Sequence, residues 1–405
     1  MKSLDDLEVA GRTVLVRADF NVPLADGPDG PDDTKVITDD GRIRAALPTL
    51  TYLRDKGAKL VVVAHLGRPK GVASEALGLQ PVADRLSELL DADVEVASDI
   101  TGPQSRAMVA ALEPGDVLLL ENIRFDARET SKVTEERAAL AAELASLADV
   151  YVSDGFGVVH REQASVTDVA RLLPSAAGRL VHKEATVFGG IMADPARPFV
   201  VILGGSKVSD KLGVIGNLIT RVDRLLIGGG MAYTFLAAQG HGVGTSLLEA
   251  EQIDTVRGFL DQAQERGVEL LLPVDFVVAD AFAADASTEI VDADAIPDGW
   301  MGLDIGPRTR ALFASKIADA GTVVWNGPMG VFEMEPFAGG TLTVARAMAD
   351  SSALTVIGGG DSAAAVRILD VDENAFTHIS TGGGASLEFL EGKTLPGLAV
   401  LEESA

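Results

Sequence analysis

The stretch FVVILGGSKVSDKLGVIGNLI, residues Phe199–Ile219, decides the fold because it combines a strand, a turn and a helical pattern. Phe199 to Leu203 are apolar without alternation, which is typical of a strand buried on both faces of a parallel sheet. Gly204 and Gly205 interrupt the pattern, and apolar residues at helical spacing follow. A strand, a glycine turn and a helix N-terminus leave backbone N–H groups that suit an anion.

Two lysines follow this turn. Lys207 and Lys211 are one helical turn apart in sequence, so we expect both ammonium groups to reach the same side. On this stretch alone, a plain βα turn with two solvated lysines is an equal alternative to an anion site. The other loops must decide between them.

Composition restricts the class of protein. A chain of 405 residues predicts about two domains. The formal net charge of -26 argues against a nucleic-acid partner, although a cleft can still concentrate positive charge locally. The absence of cysteine excludes disulfides, thiolate nucleophiles and zinc–sulfur sites. The N-terminus MKSLDDLEVA has no apolar core and no apolar run approaches the ~18 residues that span a membrane, so we expect a soluble, cytosolic protein.

The rest of the chain alternates short apolar runs with helical patterns, which predicts right-handed βαβ units and parallel sheets covered on both sides. The predicted strands are 13–20, 59–66, 93–97, 116–120, 149–153, 224–228, 269–272, 322–325, 354–357 and 376–380, and the predicted helices include 43–56, 79–90, 103–112 and 132–147.

The rhythm changes at residues 175–195, which we interpret as a single helix without a strand. We place the domain boundary there and predict domains at 1–180 and 181–390, with a tail at 391–405 outside the alternation. The insert at 25–33, ADGPDGPDD, has no apolar anchor and predicts a mobile surface loop.

Cationic side chains follow the predicted strands of the first half: Arg42, His65, Arg68, Arg124 and Arg161. Ligands bind beyond the carboxyl ends of strands in open α/β sheets, so these loops should meet at one edge. Guanidinium groups fork onto phosphate and carboxylate oxygens, and the set therefore predicts a small ligand with several negative charges. Asp19 and Asn21 among them suit a hydroxyl or amide group.

Glycine-rich loops follow the strands of the second half, at 204–205, 228–230, 326–328, 358–362 and 382–384. Together with the two lysines and Asp361, which can hold Mg²⁺, they predict a cradle for a nucleotide polyphosphate. No strand leads into G-x-G-x-x-G, which counts against a dinucleotide-binding dehydrogenase.

Eight motifs resemble phosphoglycerate kinase, in order and across nearly the whole chain: VLVRADFNVPL, RIRAALPTL, AHLGRPKG, LLLENIRF, YVSDGFGVVHR, LGGSKVSDK, WNGPMGVFE and IGGGDSAAA. The resemblance implies an α/β protein of two Rossmann-like domains joined by a hinge helix. It implies 3-phosphoglycerate on the N-terminal domain, Mg-nucleotide on the C-terminal domain and a tail that returns to the N-terminal domain.

The resemblance also implies roles for single residues. The substrate would be bound by Asp19, Phe20, Asn21, Arg42, His65, Leu66, Gly67, Arg68, Arg124 and Arg161. The nucleotide would be bound by Lys207, Lys211, Gly302, Asn326, Glu333, Gly359, Gly360, Asp361 and Ser362, with Asp361 on the magnesium side. Two residues depart from the family pattern: Ser362 stands where threonine is frequent, and Gln163 where a second histidine is common.

The implied reaction is transfer of a phosphoryl group between ATP and the carboxylate of 3-phosphoglycerate. That carboxylate is ionised at neutral pH, so no general base is needed, and we expect Arg42 and Lys211 to be the catalytic groups. The alternatives are a nicotinamide-dependent dehydrogenase on a doubly wound fold and a non-catalytic nucleotide-binding scaffold. We expect small-molecule partners, Mg²⁺ as cofactor, no nucleic-acid or membrane partner, and a cytoplasmic monomer.

Overall fold

Two parallel sheets account for the strand–helix alternation of the sequence. The computed structural model describes residues 1–27 and 35–403. The chain divides into two units: Met1–Thr186 with the chain from Thr394 onward, and Val187–Lys393. The predicted α/β class with parallel sheets is confirmed. The assignment of 1–180 and 181–390 to two different ligands stays a prediction.

The strands of the first unit are β1 (Thr13–Arg17), β2 (Leu24–Ala25), β3 (Val36–Ile37), β4 (Lys59–Val63), β5 (Val94–Val96), β6 (Val117–Leu119), β7 (Val150–Ser153) and β8 (Ser175–Ala177). Its helices are α1 (Gly41–Asp55), α2 (Gln80–Leu90), α3 (Pro103–Ala111) and α4 (Thr134–Ala145). The main sheet has the order β5-β6-β4-β1-β7-β8, and β2 pairs with β3 in a separate antiparallel ribbon. This order places the C-terminal ends of β1, β4, β6 and β7 beside one another.

Helix α5 (Arg179–Ala193) leads into the second unit. The strands there are β9 (Phe199–Leu203), β10 (Arg224–Ile227), β11 (Glu269–Leu271), β12 (Asp275–Ala279), β13 (Thr288–Asp292), β14 (Met301–Ile305), β15 (Thr322–Asn326), β16 (Leu354–Gly358) and β17 (His378–Ile379). The helices are α6 (Leu212–Leu218), α7 (Ala232–Ala238), α8 (Ile253–Arg266), α9 (Pro307–Ala318), α10 (Gly339–Ala349), α11 (Gly360–Ile368) and α12 (Gly383–Leu390), and α13 (Pro396–Glu403) follows in the tail.

Strand β9 lies where the sequence predicts it, with all of its residues buried, between β10 and β15 in the sheet β11-β10-β9-β15-β16-β17. Burial on both faces explains why its apolar run does not alternate. A second sheet in this unit, β13-β12-β14, is antiparallel and was not predicted. Its strands carry several acidic residues, which hide the apolar pattern.

The prediction of a single helix over 175–195 is wrong at its start. Residues Ser175–Ala177 form β8 and pair in parallel with β7 at the sheet edge, and helix α5 begins only at Arg179. Small residues give no local strand pattern, and the pairing partner is supplied by the tertiary fold. The N–H of Ala177 also bonds to the carbonyl of Lys2 at 3.0 Å, which anchors the edge strand.

The apolar residues at helical spacing form α6, which begins at Leu212, but Lys207 and Lys211 lie before it. A 3₁₀ turn at Ser209–Lys211 comes first. The helical-turn argument for Lys207 and Lys211 therefore fails, and the structure leaves Lys207 exposed but buries Lys211.

The insert and the tail both belong to the first unit. Ala25 at the start of the insert pairs with Val36 in the β2–β3 ribbon, and the predicted loop from residue 28 onward lies outside the described residues. Helix α13 in the tail contacts the turn after β7, where the N–H of Gly397 donates to the carbonyl of Val159 at 2.8 Å.

Among the described residues, no helix is both long and apolar enough to cross a bilayer.

Asp154, directly after β7, holds the start of α5 in place. Its Oδ1 accepts the N–H of Leu180 at 3.0 Å, and Thr49 also bonds to the carboxyl group. Gly178 must be glycine here, because a Cβ would lie 2.1 Å from that oxygen. Burial raises the pKa of Asp154 to about 8, since nothing in the described residues bonds to Oδ2.

A raised pKa predicts a specific pH dependence of stability. Between the ordinary pKa near 3.9 and the folded value, the folded state binds the proton more tightly, so stability present at low pH is lost as the pH rises. Asp154→Asn keeps the accepting oxygen but cannot ionise. We expect wild type to lose up to about 1.4 kcal/mol per pH unit relative to this variant between about pH 4 and 8. Urea unfolding followed by circular dichroism at several pH values measures this, and parallel profiles for the two proteins would contradict it.

Candidate active site

The candidate site of the first unit begins at the C-terminal end of β1. Asp19 is buried there, and its carboxylate accepts a hydrogen bond from Nη1 of Arg42, the second residue of α1. The N–H of Asn21 donates to Asp19 Oδ1 at 3.2 Å, while Asn21 Oδ1 accepts the N–H of Gly67 at 2.8 Å. The loops after β1 and β4 are thus joined by side chains that the sequence singled out.

Asn122 fastens two further loops and was missed by the sequence analysis. Its fully buried amide accepts the N–H groups of Leu66 at 3.3 Å and Arg124 at 3.1 Å through Oδ1. Its Nδ2 donates to the carbonyls of Leu66 at 2.8 Å and Leu77 at 2.9 Å. The motif ENIR displayed this asparagine, but only the fold shows that one amide connects the loops after β4 and β6.

Arg124 lies in this junction, where Nη1 donates to the carbonyl of Gly67 at 2.7 Å. Burial, with Arg17 and Arg161 as further causes, lowers the pKa of Arg124 to about 10. Its Nε has no hydrogen-bond partner within the described chain. A half-buried guanidinium whose pKa is lowered by burial and by neighbouring cations marks a place that favours an anionic ligand.

The pKa of His65 shows that several cations act on this edge of the main sheet. Burial lowers its pKa well below the ordinary value, and Arg17, Arg124, Arg42 and Arg161 lower it further. Four arginines therefore act on one buried imidazole, one at the end of β1, one in α1 and two that follow β6 and β7. The structure brings together most of the predicted cations, as well as Arg17, which the prediction did not include.

Four predicted substrate residues differ in how much of their side chains is exposed. The side chains of Phe20 and Leu66 are 0% and 1% exposed and belong to the apolar core, so only their backbone groups remain for a ligand. Arg68 is exposed, without an ion pair or hydrogen bond to the described part of the chain. Arg161 is also exposed, and its Nε donates to Nε2 of His160 at 3.0 Å.

The candidate site of the second unit centres on Lys211 and Asn326. The Lys211 ammonium donates to Oδ1 of Asn326, and Nδ2 of Asn326 donates to the carbonyl of Gly358 at 2.9 Å. Burial lowers the pKa of Lys211 to about 8, although Asp210 and Asp361 oppose the shift. The ends of β15 and β16 are thus joined beside a desolvated ammonium group.

Three of the predicted glycine loops pack against one another. The N–H of Gly205 donates to the carbonyl of Pro328 at 2.9 Å, and that of Gly229 to the carbonyl of Met329 at 3.2 Å. A Cβ on Gly204 would lie 2.1 Å from the Pro328 oxygen. The glycines of these loops are required for close backbone approach, so they support the site more than they line it.

The other two glycine loops begin helices. Gly360 is the first residue of α11, and a Cβ there would meet no atom within 4 Å, so the space beside this N-terminus is open. Gly359, at φ 95°, is the N-cap and has no side-chain capping bond. Ser362 faces inward, and its Oγ accepts the N–H of Gly327 at 2.7 Å.

The remaining residues predicted to bind the nucleotide differ in how exposed they are. Lys207, Glu333 and Asp361 are exposed. Gly302 lies inside β14, where its N–H donates to Ser246 Oγ at 2.9 Å and a Cβ would lie 1.9 Å from Oη of Tyr233. Among the described residues no group of three or more His, Asp or Glu side chains is placed to hold a metal. A metal at Asp361 would thus need most of its ligands from elsewhere.

Comparisons with known proteins identify the family. The family model "Phosphoglycerate kinase" matches residues 4–393. The chain belongs to the phosphoglycerate kinase family. It is 60% identical to the phosphoglycerate kinase of Clavibacter michiganensis over 407 residues, with 99% of each chain covered. It is 59% identical to the phosphoglycerate kinase of Frankia casuarinae over 406 residues, with 99% of this chain and 100% of the relative covered. The structure of phosphoglycerate kinase from Coxiella burnetii is similar with a TM-score of 0.86 and 39% identity, with 99% of each chain covered.

The family match confirms the predicted kinase class. It covers both units and all of the motifs quoted above, whereas neither a dehydrogenase nor a non-catalytic scaffold receives support from the comparisons. The geometry of the two sites therefore belongs to an enzyme that transfers phosphoryl groups.

Gly157 tests the arrangement of the first site. A Cβ at this position would lie 2.1 Å from Asp19 Oδ2 and 3.4 Å from Arg42 Nη1. Gly157→Ala must therefore displace the Asp19–Arg42 pair, and we expect KM for 3-phosphoglycerate to rise by about ten- to a hundredfold, which corresponds to the roughly 1–3 kcal/mol of an overpacked contact.

Gly258→Ala in α8 is the matched control, because a Cβ there would meet no atom within 4 Å. A Gly157→Ala enzyme that folds and keeps the wild-type KM would show that the pair does not shape the substrate site.

Proposed function

We propose that the chain catalyses reversible transfer of a phosphoryl group from ATP to the carboxylate of 3-phosphoglycerate, giving 1,3-bisphosphoglycerate and ADP. The family match over residues 4–393 supports the reaction class. The observation that carries the proposal is the convergence of four arginines on His65, in a protein whose formal net charge is -26. Such a local reversal of charge suits a substrate that carries both a phosphate and a carboxylate.

The first unit is proposed to bind 3-phosphoglycerate. His65 is a buried polar group after β4 and Arg124 is a half-buried cation after β6, while the exposed Arg68 and Arg161 are available to phosphate oxygens. We also propose polar contacts to the substrate from Asn21 and Asp19 and from the backbone groups of Phe20, Leu66 and Gly67. Arg42, with 30% of its side chain exposed, is proposed to neutralise charge on the transferring group.

The second unit is proposed to bind the nucleotide. The open N-terminus of α11, with Gly359 and Gly360, suits phosphate oxygens, and Lys207 supplies an exposed positive charge. Lys211 is proposed as the second catalytic group, because its desolvated ammonium is held at a fixed point by Asn326. The other proposed nucleotide residues are Gly302, Glu333, Asn326 and Ser362.

Magnesium fits this site as part of the nucleotide complex. Asp361 is a single exposed carboxylate, and Mg²⁺ is commonly bound by one or two carboxylates together with substrate phosphates and water. Bound Mg²⁺ would supply charge neutralisation at the phosphates. We propose Asp361 as its protein ligand.

The chemistry requires no general base, because the attacking carboxylate of 3-phosphoglycerate is already ionised at neutral pH. The residues therefore bind, orient and neutralise charge. A cytoplasmic location follows from a role in glycolysis, and a monomeric state stays a prediction. A coupled ATP assay with 3-phosphoglycerate tests the function directly, and the absence of phosphoryl transfer in the purified protein would contradict it.

Removal of the Arg42 guanidinium tests its catalytic role. We expect Arg42→Ala to lower kcat by on the order of 10²–10⁴-fold, the range for loss of a group that stabilises transition-state charge, with nucleotide affinity unchanged. Arg44→Ala is the matched control, since Arg44 lies on the same helix, is exposed and pairs with Asp40 at 2.9 Å. An Arg42→Ala enzyme that retains more than about half of wild-type kcat would remove Arg42 from the mechanism.

The magnesium role of Asp361 makes a separate prediction. Asp361→Asn should weaken binding of Mg-ADP, by about tenfold or more, while binding of metal-free ADP changes little, because only the metal complex needs the carboxylate. Isothermal titration calorimetry with and without Mg²⁺ measures both affinities. Equal losses for the two forms would leave Asp361 with a purely structural role at the start of α11.

A further inference from the structure

Arg17, the last residue of β1, is a fully buried arginine that has no proposed contact with the substrate. Its Nε donates to Oγ of Ser165 at 2.8 Å, and its Nη1 donates to the carbonyl of Ala18. Its Nη2 lies 3.3 Å from Nδ1 of His65. The guanidinium group is therefore tied on three sides, and one of its partners is a residue of the proposed substrate site.

A buried carboxylate holds the other end of this network. Glu129 is fully buried, accepts the N–H of Ser165 at 2.9 Å and the Ser165 hydroxyl at 2.6 Å, and lies 4.0 Å from Nη2 of Arg17. The single hydroxyl proton of Ser165 is used toward Glu129, so Ser165 Oγ can only accept from Arg17. Tyr151 closes the network by donating to the Ser165 carbonyl at 2.9 Å.

The direction of each hydrogen bond follows from the donors. A guanidinium group has N–H donors and no acceptor, so the bond between Arg17 Nη2 and His65 Nδ1 requires a bare Nδ1 with a free lone pair. A neutral imidazole carries one proton, which must then lie on Nε2. A charged imidazolium would place two donors face to face and add a positive charge beside Arg17, Arg42, Arg124 and Arg161.

We propose that Arg17, held by Ser165 and Glu129, is a positioning residue that keeps His65 neutral with its proton on Nε2, so that His65 donates a hydrogen bond to the anionic substrate through Nε2. Its relation to the substrate rests on the proposed function. Asp19 is the acidic group nearest to the ring, with Oδ1 3.9 Å from Nδ1, and is already bonded to Arg42. Burial and the four arginines lower the pKa of His65, which agrees with a neutral ring.

His65 and the arginines have different roles toward the substrate. The arginines supply charge, which attracts any phosphate or carboxylate. A neutral donor in a fixed orientation adds direction without adding repulsion among the cations. The chain has only five histidines, so selective labelling makes the state of this ring observable.

The direct test is nitrogen NMR of protein labelled with ¹⁵N-histidine, with His65 assigned from the spectrum of His65→Gln. We expect the ligand-free wild type at pH 7 to show His65 as a neutral ring with bare Nδ1 and protonated Nε2, unchanged between roughly pH 6 and 8. A ring protonated on Nδ1, or a charged ring, would overturn the proposal. Because no substrate is present, this result does not depend on whether the proposed function is correct.

Two variants of His65 then test what the proton does. The amide nitrogen of His65→Gln reaches the position of Nε2, whereas the amide of His65→Asn reaches only that of Nδ1. We expect His65→Gln to keep KM for 3-phosphoglycerate within about threefold of wild type, and His65→Asn to raise it by about ten- to a hundredfold, the cost of one hydrogen bond to a charged group. Equal KM values for the two variants would overturn the donor role, and loss of all phosphoryl transfer in wild type would instead contradict the proposed function.

Ser165→Ala tests the positioning role itself. It removes the acceptor of Arg17 Nε and one donor to Glu129 but leaves His65 and the substrate loops unchanged. We expect the Nδ1 signal of His65 to shift and KM for 3-phosphoglycerate to rise at least threefold, with kcat within about twofold of wild type. A folded Ser165→Ala protein with an unchanged His65 signal and unchanged KM would show that the network does not position His65.

Discussion

The structure of the first unit depends on the concentration of positive charge at the buried end of a parallel sheet. Arginines that converge on one ligand repel one another until the ligand arrives, and burial removes the water that would screen them. Buried acids offset this cost. Asp19 pairs with Arg42, and Glu129 lies 4.0 Å from Arg17. Arg17 and Glu129 are both fully buried, and removal of one member of a buried pair typically costs about 3–5 kcal/mol, so this acid is as necessary as its arginine.

Hydrogen bonds between loops hold the charged side chains of the first unit in fixed relative positions. Asn122 joins the loops after β4 and β6, and Asn21 joins those after β1 and β4. Each strand sets the position of its own loop only approximately, since loops have conformational freedom that costs entropy to remove. A fully satisfied buried amide removes that freedom without adding charge. The geometry of the proposed anion site is therefore a property of the hydrogen bonds between loops as much as of the strands.

In the second unit, glycine residues allow the loops at the strand ends to approach one another closely. Gly204 and Gly229 approach the carbonyl oxygen of Pro328 so closely that side chains would not fit. The resulting backbone platform fixes the ends of β9, β10 and β15, next to which Lys211 is bonded to Asn326. The accessible N–H groups come instead from α11, whose N-terminus is open. Close packing and the proposed nucleotide binding thus belong to different loops that look alike in sequence.

The sequence by itself determined the family, the α/β class, strand β9 and the set of cations at the strand ends, because burial on two faces and a chain of specific motifs both leave local patterns. The tertiary structure alone decided that Ser175–Ala177 form an edge strand, that a 3₁₀ turn precedes α6 and that the side chains of Phe20 and Leu66 belong to the core. It also decided the roles of Asn122, Arg17 and Glu129. A strand of small residues needs a partner strand, and a buried polar residue is defined by hydrogen bonds to residues far away in sequence, which no local pattern contains.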